Sequence, residues 1–257
     1  MKPFDCHTHI YDNAFGKDIN EMLARAKKAL SGIIVVGEDP ESNRKVIALC
    51  KKHPGFLFPG LAIHPDKVHT LTDAQIDTEI NFIREQKNLV CIGECGLDYL
   101  WAKKSGDYEN TKLRQQETFR KFIALADELN LPLNIHSRRA DAVVIHTLKE
   151  LRPKKAVLHG FSGTVAEAKE MFSFGYKIVI GTNLFFSKET KSYVESLPLE
   201  AFVLETDSPV QAPVRGQRNE PANVRLVVKK IAGIKNISEE EVIAATNKTV
   251  RHVFNVI

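Results

Sequence analysis

The chain has 257 residues, of which 43% are hydrophobic, so it is long enough to bury a large core. It carries 36 basic and 32 acidic side chains, a formal charge of +4, which suits an anionic substrate without itself indicating nucleic-acid binding. No apolar run approaches the roughly 20 residues that cross a bilayer, so we expect no membrane association.

Short runs of branched and apolar residues recur along the chain, and a segment with helical periodicity follows each of them. This alternation predicts parallel strands joined by helical crossovers. The predicted strands are, in chain order, Pro3–His7, Gly32–Val36, Phe56–Ile63, Leu89–Glu94, Pro132–His136, Ala156–His159, Lys177–Gly181 and Phe202–Glu205.

Capping signals mark the predicted starts of four helices. In three of them the capping residue stands three positions before Glu or Gln, and in the fourth it stands directly before a proline. No linker or low-complexity tract interrupts the pattern, which predicts one α/β domain over residues 1–257. Eight βα units favour a (β/α)₈ TIM barrel with its active site at the carboxyl ends of the strands. An open doubly wound sheet is the alternative, but no G-x-G-x-x-G turn follows the first strand. The capping signals are Asp39-Pro40, Thr72-x-x-Gln75, Thr164-x-x-Glu167 and Ser238-x-x-Glu241.

Six side chains that can bind metals are predicted at strand ends. Because these ends meet at one face of a barrel, we expect the six to converge. Imidazole and carboxylate ligands suit zinc, manganese and related divalent ions. A single histidine at a strand end is more often structural, but six such residues favour a metal site. They are His7 and His9 around the end of strand one, Glu94 after strand four, His136 after strand five, His159 after strand six and Asp207 beyond strand eight.

Two of these residues are candidate catalytic groups. Glu94 has two oxygens and could bridge two divalent ions, with Mg, Mn and Zn all open as the native metal. Asp207 could orient or deprotonate a water. A pair of ions about 3.5–4 Å apart would activate that water for hydrolysis.

Substrate-facing groups are predicted beside these ligands. Arg138 lies two residues beyond His136, on the same side of an extended segment, and is a candidate phosphate ligand. Arg139 is interpreted as a solvated helix residue. His64 ends strand three and could hold substrate or water, or play a structural role. Glu205 is grouped with the substrate-facing residues, and could fix a water or a neighbouring histidine.

Two further loops carry cationic groups. Trp101 and the lysines after it could form a lip that binds a nucleic-acid strand, or Trp101 could pack the loop onto the barrel. Arg215 and Arg218 follow Asp207, and could contact phosphates or pair with Glu220.

Five segments around the candidate ligands form a recognisable set. They are Phe4-Asp5-Cys6-His7-Thr8-His9, Ile92-Gly93-Glu94-Cys95-Gly96-Leu97-Asp98-Tyr99, His136-Ser137-Arg138, His159-Gly160-Phe161-Ser162-Gly163 and Glu205-Thr206-Asp207-Ser208-Pro209. As a set they resemble the TatD-type metal-dependent deoxyribonucleases of the amidohydrolase-like superfamily. The resemblance implies that His7, His9, Glu94 and Asp207 hold one metal and that Glu94, His136 and His159 hold a second. It also implies hydrolysis of DNA that depends on a divalent ion, usually magnesium, often with exonuclease character.

Three functions follow as hypotheses. The first is a two-metal deoxyribonuclease acting on DNA, with single strands favoured. The second keeps the metals but breaks an acyl bond, as in a deacylase or amidohydrolase, possibly acting on aminoacyl-tRNA, because fold alone cannot choose the bond. The third is a non-catalytic barrel, which intact ligands disfavour. Two features favour the cytoplasm. The four cysteines show no disulfide pattern, and the candidate ligands His7 and His9 lie too near the start to leave room for a signal peptide. No obligate protein partner is indicated.

Overall fold

A computed structural model describes residues 1–256, in which eight parallel strands form one sheet in the order β1 to β8. Each strand pairs with the next along the chain, as the crossover pattern predicted. The strands are β1 (Phe4–Thr8), β2 (Gly32–Val36), β3 (Leu57–Leu61), β4 (Cys91–Asp98), β5 (Leu133–Arg138), β6 (Ala156–His159), β7 (Lys177–Ile180) and β8 (Phe202–Leu204).

Helices surround this nearly closed barrel, which has the predicted (β/α)₈ architecture. None of the helices within residues 1–256 is both long and apolar enough to cross a membrane. The α-helices are α1 (Ile19–Ala29), α2 (Pro40–Lys52), α3 (Asp73–Arg84), α4 (Tyr99–Ala102), α5 (Tyr108–Leu129), α6 (Asp141–Leu151), α7 (Val165–Ser173), α8 (Lys188–Ser196), α9 (Val224–Lys235) and α10 (Glu239–Phe254). Short 3₁₀ helices cover Asn13–Phe15, Val68–Thr70, Thr182–Phe185, Leu199–Ala201 and Pro221–Asn223.

The predicted helix starts are confirmed. Thr72, Thr164 and Ser238 each form a reciprocal capping box with the residue three positions on, and Asp39 caps α2. The strands are buried on both faces, as in the GIIVV run of β2, because helices cover the outside of the sheet. Most of the core lies between sheet and helices. A smaller cluster joins Phe4 and Cys6 inside the barrel to Val253 and Phe254 of α10.

Three strands run further than predicted: β1 by one residue, β5 by two and β4 by four. β4 continues four residues beyond Glu94 because its pairing with β5 persists from Cys95–Ile135 to Asp98–Arg138. Glu94 and His136 therefore lie within strands, below the rim of the barrel, rather than at strand ends. β3 is shorter than predicted and ends at Leu61, which places His64 in the loop after it.

The seam between β1 and β8 is closed by hydrogen bonds just beyond β8. The Asp207 amide donates to the His7 carbonyl at 3.1 Å, and the His9 amide donates to the Ser208 carbonyl at 2.8 Å. The buried Asp5 carboxylate accepts from the Thr206 amide at 3.0 Å and from its hydroxyl at 2.6 Å. The segment that carries Asp207 is thereby fastened to the segment that carries both N-terminal histidines.

Replacing Asp5 with Ala should lower the free energy of unfolding by about 3 kcal/mol, because the buried donors of Thr206 lose their acceptor. Ser238→Ala, which removes the exposed cap of α10, should cost only about 1 kcal/mol. Denaturant unfolding followed by circular dichroism measures both. Equal losses for the two variants would show that Asp5 does not secure the seam.

Candidate metal centre

A cavity of about 530 Å³ opens at the carboxyl ends of the strands. It is lined by imidazoles, carboxylates and two arginines, so its walls are strongly polar. The lining residues used below are His9, Glu38, His64, Glu94, Trp101, His136, Arg138, Arg139, His159, Asp207 and Gln211.

The first group of ligand atoms lies against one oxygen of Glu94. The Nε2 atoms of His7 and His9 are 3.2 Å apart. Glu94 Oε2 is 3.2 Å from the former and 3.4 Å from the latter. Asp207 Oδ1 is 3.8 Å from His7 Nε2 and 3.6 Å from His9 Nε2. Four side chains from β1, β4 and the segment after β8 therefore converge on one point.

The second group lies against the other oxygen of the same carboxylate. Glu94 Oε1 is 2.7 Å from His136 Nδ1 and 3.6 Å from His159 Nε2. His64 Nε2 is also 3.6 Å from Oε1, so this histidine joins the group, although it was predicted to hold substrate or water or to play a structural role. The two oxygens of Glu94 thus face two separate sets of histidines.

Four of these histidines are held by a polar partner at Nδ1, the ring nitrogen that does not face Glu94. In each case a polar atom contacts Nδ1, which leaves Nε2 directed toward the cavity, as expected of imidazoles oriented for metal binding. The pairs are His7 with Asn134 Oδ1 at 3.1 Å, His9 with the Tyr11 hydroxyl at 3.2 Å, His64 with Asp66 Oδ1 at 2.7 Å and His159 with Glu205 Oε2 at 2.7 Å.

His136 differs from the other four histidines. Its Nδ1 meets Glu94, and its Nε2 lies 3.1 Å from Asp98 Oδ2. The other oxygen of Asp98 accepts from the Trp101 amide at 2.9 Å and so caps α4. Asp98 therefore connects a ligand histidine to the loop that carries Trp101.

Three of the orienting side chains were not identified from the sequence. Asn134 lies two residues before His136 on β5, and Tyr11 and Asp66 lie two residues after a histidine. Tyr11 also donates to Glu38 Oε2 at 2.6 Å, which brings a further carboxylate to the cavity. A search for polar side chains two positions from each histidine would have found them. Asn134 shares one side of β5 with His136, and Tyr11 and Asp66 lie in the turns that follow His9 and His64.

The site's own charges keep the carboxylates of Glu94 and Asp207 ionised. Burial raises the pKa of Glu94, but the adjacent His7 and the other histidines outweigh burial and hold that pKa well below its usual range. Burial also raises the pKa of Asp207, yet the charge of His159 and the hydrogen bond from His9 bring it down to about 2. Both groups are therefore anionic at neutral pH and can bind a cation.

The same carboxylates favour protons on nearby imidazoles. Burial lowers the pKa of His136, but hydrogen bonds to Asp98 and Glu94 outweigh burial and raise it to about 9. Burial likewise lowers the pKa of His9, but Asp207 and Glu94 raise it well above its usual value. A metal ion at this site must replace these protons.

The donor set fits divalent metal ions. His7, Glu94 and His159 offer atoms within 4.8 Å of one another, as do His7, His9 and Asp207. Buried imidazole nitrogens together with buried carboxylates are the usual ligands of zinc, and also suit manganese. The structure therefore brings together all six side chains that were predicted as metal ligands.

The substrate-facing predictions divide into two groups. Arg138 lines the cavity with its guanidinium 3.6 Å from Asp98, and its side chain is 48% exposed. Arg139 also lines the cavity, and its placement in a helix was wrong: it precedes α6 with a left-handed φ of 57°. These two arginines and His64 all line the cavity.

Glu205 and Arg218 are not among the residues that line the cavity, although the predicted contact of Glu205 with a neighbouring histidine is present. Glu205 is buried behind His159 and contacts that ring, so it orients a histidine instead of facing substrate. Arg218 donates to both oxygens of Asp18 at 2.6 Å, and its expected pairing with Glu220 was wrong because Arg25 occupies that carboxylate. The bidentate pair holds Arg218 against the start of α1, away from the cavity lining.

Fold and site together define a metal-dependent hydrolase built on a (β/α)₈ barrel. The family model described as TatD related DNase matches residues 4–255. The human deoxyribonuclease TATDN3 is 34% identical, over 97% of this chain and 93% of its own length. The 3'-5' ssDNA/RNA exonuclease TatD of Erwinia tasmaniensis is 29% identical, over 98% and 99%. The chain belongs to the TatD-related DNase family, which acts on ester bonds.

Solved structures agree with this assignment. The crystal structure of YjjV, a TatD homolog from Escherichia coli K12, superposes with a TM-score of 0.89 at 27% identity. The match covers 99% of this chain and 98% of YjjV.

Replacing Glu94 with Gln should remove most bound metal from both ligand groups, because each group loses an anionic oxygen. Glu79→Gln is the matched control: Glu79 is equally buried but pairs with Arg44 at α2, away from the cavity. Elemental analysis after manganese loading and dialysis measures the ratio of metal to protein. Metal content equal to that of the unaltered protein would contradict a shared role for Glu94.

Metal affinity should rise with pH between 6 and 8, by up to about tenfold per unit for each proton displaced. The affinity rises with pH because the pKa values of His9 and His136 are raised, and a protonated imidazole must lose its proton before it can bind a cation. Calorimetric titration with manganese in buffers of different ionisation enthalpy counts the protons released. An affinity independent of pH would show that these imidazoles are not ligands.

Proposed function

We propose that this protein is a two-metal nuclease that hydrolyses phosphodiester bonds of DNA, favours single strands and works from an end. One observation carries the proposal: the carboxylate of Glu94 offers one oxygen to each of two separate histidine sets. The names of two relatives, a deoxyribonuclease and a 3'-5' ssDNA/RNA exonuclease, support the choice of substrate and of exonucleolytic action.

The ligands divide between two ions in this proposal. His7, His9 and Asp207 would hold the first ion, His136 and His159 the second, and Glu94 both. Two divalent ions bound there would supply Lewis-acid activation of water and would offset charge on the attacking and leaving oxygens.

Asp207 is the proposed proton acceptor. With a pKa of about 2 it is ionised at neutral pH. Gln211 donates to its Oδ2 and so fixes the carboxylate plane, while Oδ1 faces His7 and His9. Asp207 also has a left-handed φ of 56°, a conformation that costs energy outside glycine and that the seam hydrogen bonds maintain.

Arg138 and Arg139 are the proposed phosphate-binding groups. Both line the cavity beside the ligand histidines, and Arg138 is half exposed, so its guanidinium can reach a bound phosphodiester. Asp98 lies 3.6 Å from Arg138 and also contacts His136, so one carboxylate would position both the phosphate ligand and a metal ligand.

We also propose that the chain forms one hydrolase domain, since a single sheet contains all eight of the strands in residues 1–256. Four free cysteines, each buried, support a reducing compartment such as the cytoplasm.

The purified protein should shorten end-labelled single-stranded DNA in the presence of manganese or magnesium. Arg138→Ala should lower kcat/KM by about tenfold, because a charge-assisted hydrogen bond to phosphate is lost. Arg120→Ala is the matched control, since Arg120 is similarly exposed but lies on α5, paired with Glu150. Denaturing gels of timed digests give both rates.

Intact DNA with a fully metal-loaded protein would contradict the nuclease proposal. The same preparation should then be tested on aminoacyl-tRNA and on simple esters and amides. Faster turnover of these carbonyl substrates would assign the site to acyl-bond hydrolysis instead.

A further inference from the structure

We propose that a track of aromatic and cationic side chains leads from the metal cavity across the loop after β7 to α9, and that it binds the single-stranded part of a nucleic-acid substrate. The track consists of Phe186 and Arg215, then Phe185 and Lys230. It rests on the proposed nuclease function, because it extends that site. None of these four residues belongs to the metal centre.

The first half of the track adjoins the metal cavity. Phe186 is 47% exposed, which is unusual for so large an apolar side chain, and the Arg215 guanidinium lies 5.7 Å from the centre of its ring. Both line a depression of about 360 Å³. Gln211 lines this depression and the metal cavity alike, and donates to Asp207, so the two spaces adjoin at this side chain.

The second half continues from the adjacent ring. Phe185 is 37% exposed and its ring centre lies 6.5 Å from that of Phe186, with the planes tilted by 53°. Lys230 of α9 places its ammonium 5.9 Å from the Phe185 ring. The groove beside it measures about 640 Å³ and is also lined by Lys191 and Lys229. Glu195 is the single carboxylate among its described lining residues, so the groove is net cationic.

This chemistry matches a single strand of nucleic acid. Exposed aromatic faces stack on unpaired bases, and neighbouring cations follow the phosphate backbone. A duplex keeps its bases stacked on one another and could use only the cations. The pairing of each exposed ring with its own cation therefore favours a strand whose bases are free.

The test uses a labelled twelve-residue thymidine oligonucleotide, with binding followed by fluorescence anisotropy in EDTA so that no cleavage occurs. The double variant Phe185→Leu/Phe186→Leu should bind about tenfold more weakly or worse, the loss expected when one or two bases lose their stacking. Lys230→Ala should reduce the slope of log affinity against log salt by about 0.7, the contribution of one single-strand phosphate.

Two control variants test whether a loss of oligonucleotide binding is specific to the residues of the track. Phe172→Leu alters another ring beside a lysine, Lys177, which begins β7 at the opposite end of the barrel. Lys121→Ala removes an exposed lysine from α5. Both controls should bind the oligonucleotide as the unaltered protein does. All variants should hydrolyse bis(p-nitrophenyl) phosphate at the unaltered rate with manganese, because the metal centre is unchanged.

Unchanged affinity in the Phe185/Phe186 and Lys230 variants would overturn the track and leave the nuclease proposal standing. Equal losses for a blunt duplex, or equally tight binding of polyphosphate, would also overturn it, since neither ligand offers free bases. If the unaltered protein hydrolyses no phosphodiester, the nuclease proposal fails, while the binding measurements in EDTA still decide whether the track exists.

Discussion

The arrangement of the candidate metal centre depends on one buried carboxylate, that of Glu94. Glu94 is 3% exposed and ionised, and a charge so placed must be compensated by opposite charge and hydrogen bonds. Five imidazoles lie within 3.6 Å of its two oxygens, divided between them. The pKa values of two of those rings, His9 and His136, are raised, so their protons offset this charge in the protein alone, and divalent cations would offset it in the working enzyme. The imidazoles are those of His7, His9, His64, His136 and His159.

The barrel supplies the rigidity that this arrangement needs. Glu94 and His136 lie within paired strands, where the backbone cannot shift without breaking the sheet. Asp207 lies beyond β8, and hydrogen bonds to β1 hold it there in a left-handed conformation. Contacts at Nδ1 then fix the rings of four histidines, so that the ligand atoms are preorganised rather than gathered by the metal.

Much of this site could be predicted from the sequence. The eight alternating strands and helices favour a barrel, and a barrel brings the ends of its strands together, so residues as distant as His7 and Asp207 could be assigned to one centre. The extra length of β4 could not be predicted, because pairing with Arg138 depends on the register between two strands. The partner of Arg218 was missed for a related reason: Asp18 lies 200 residues away along the chain.

Rules based on spacing along the sequence also missed side chains that act by positioning another residue. The contact between Asn134 and His7 joins β5 to β1 across the interior of the barrel. The spacing of Asn134 from His136 places it near the site but does not indicate that it contacts His7. Arg139 was interpreted as a solvated helix residue, whereas it precedes α6 with a positive φ and lines the cavity. Such positions are set by packing in three dimensions.

The most direct measurement is anomalous diffraction from crystals soaked in manganese. The account predicts two peaks about 3.5–4 Å apart, with one oxygen of Glu94 bound to each. A single peak, or two peaks that Glu94 does not join, would contradict it.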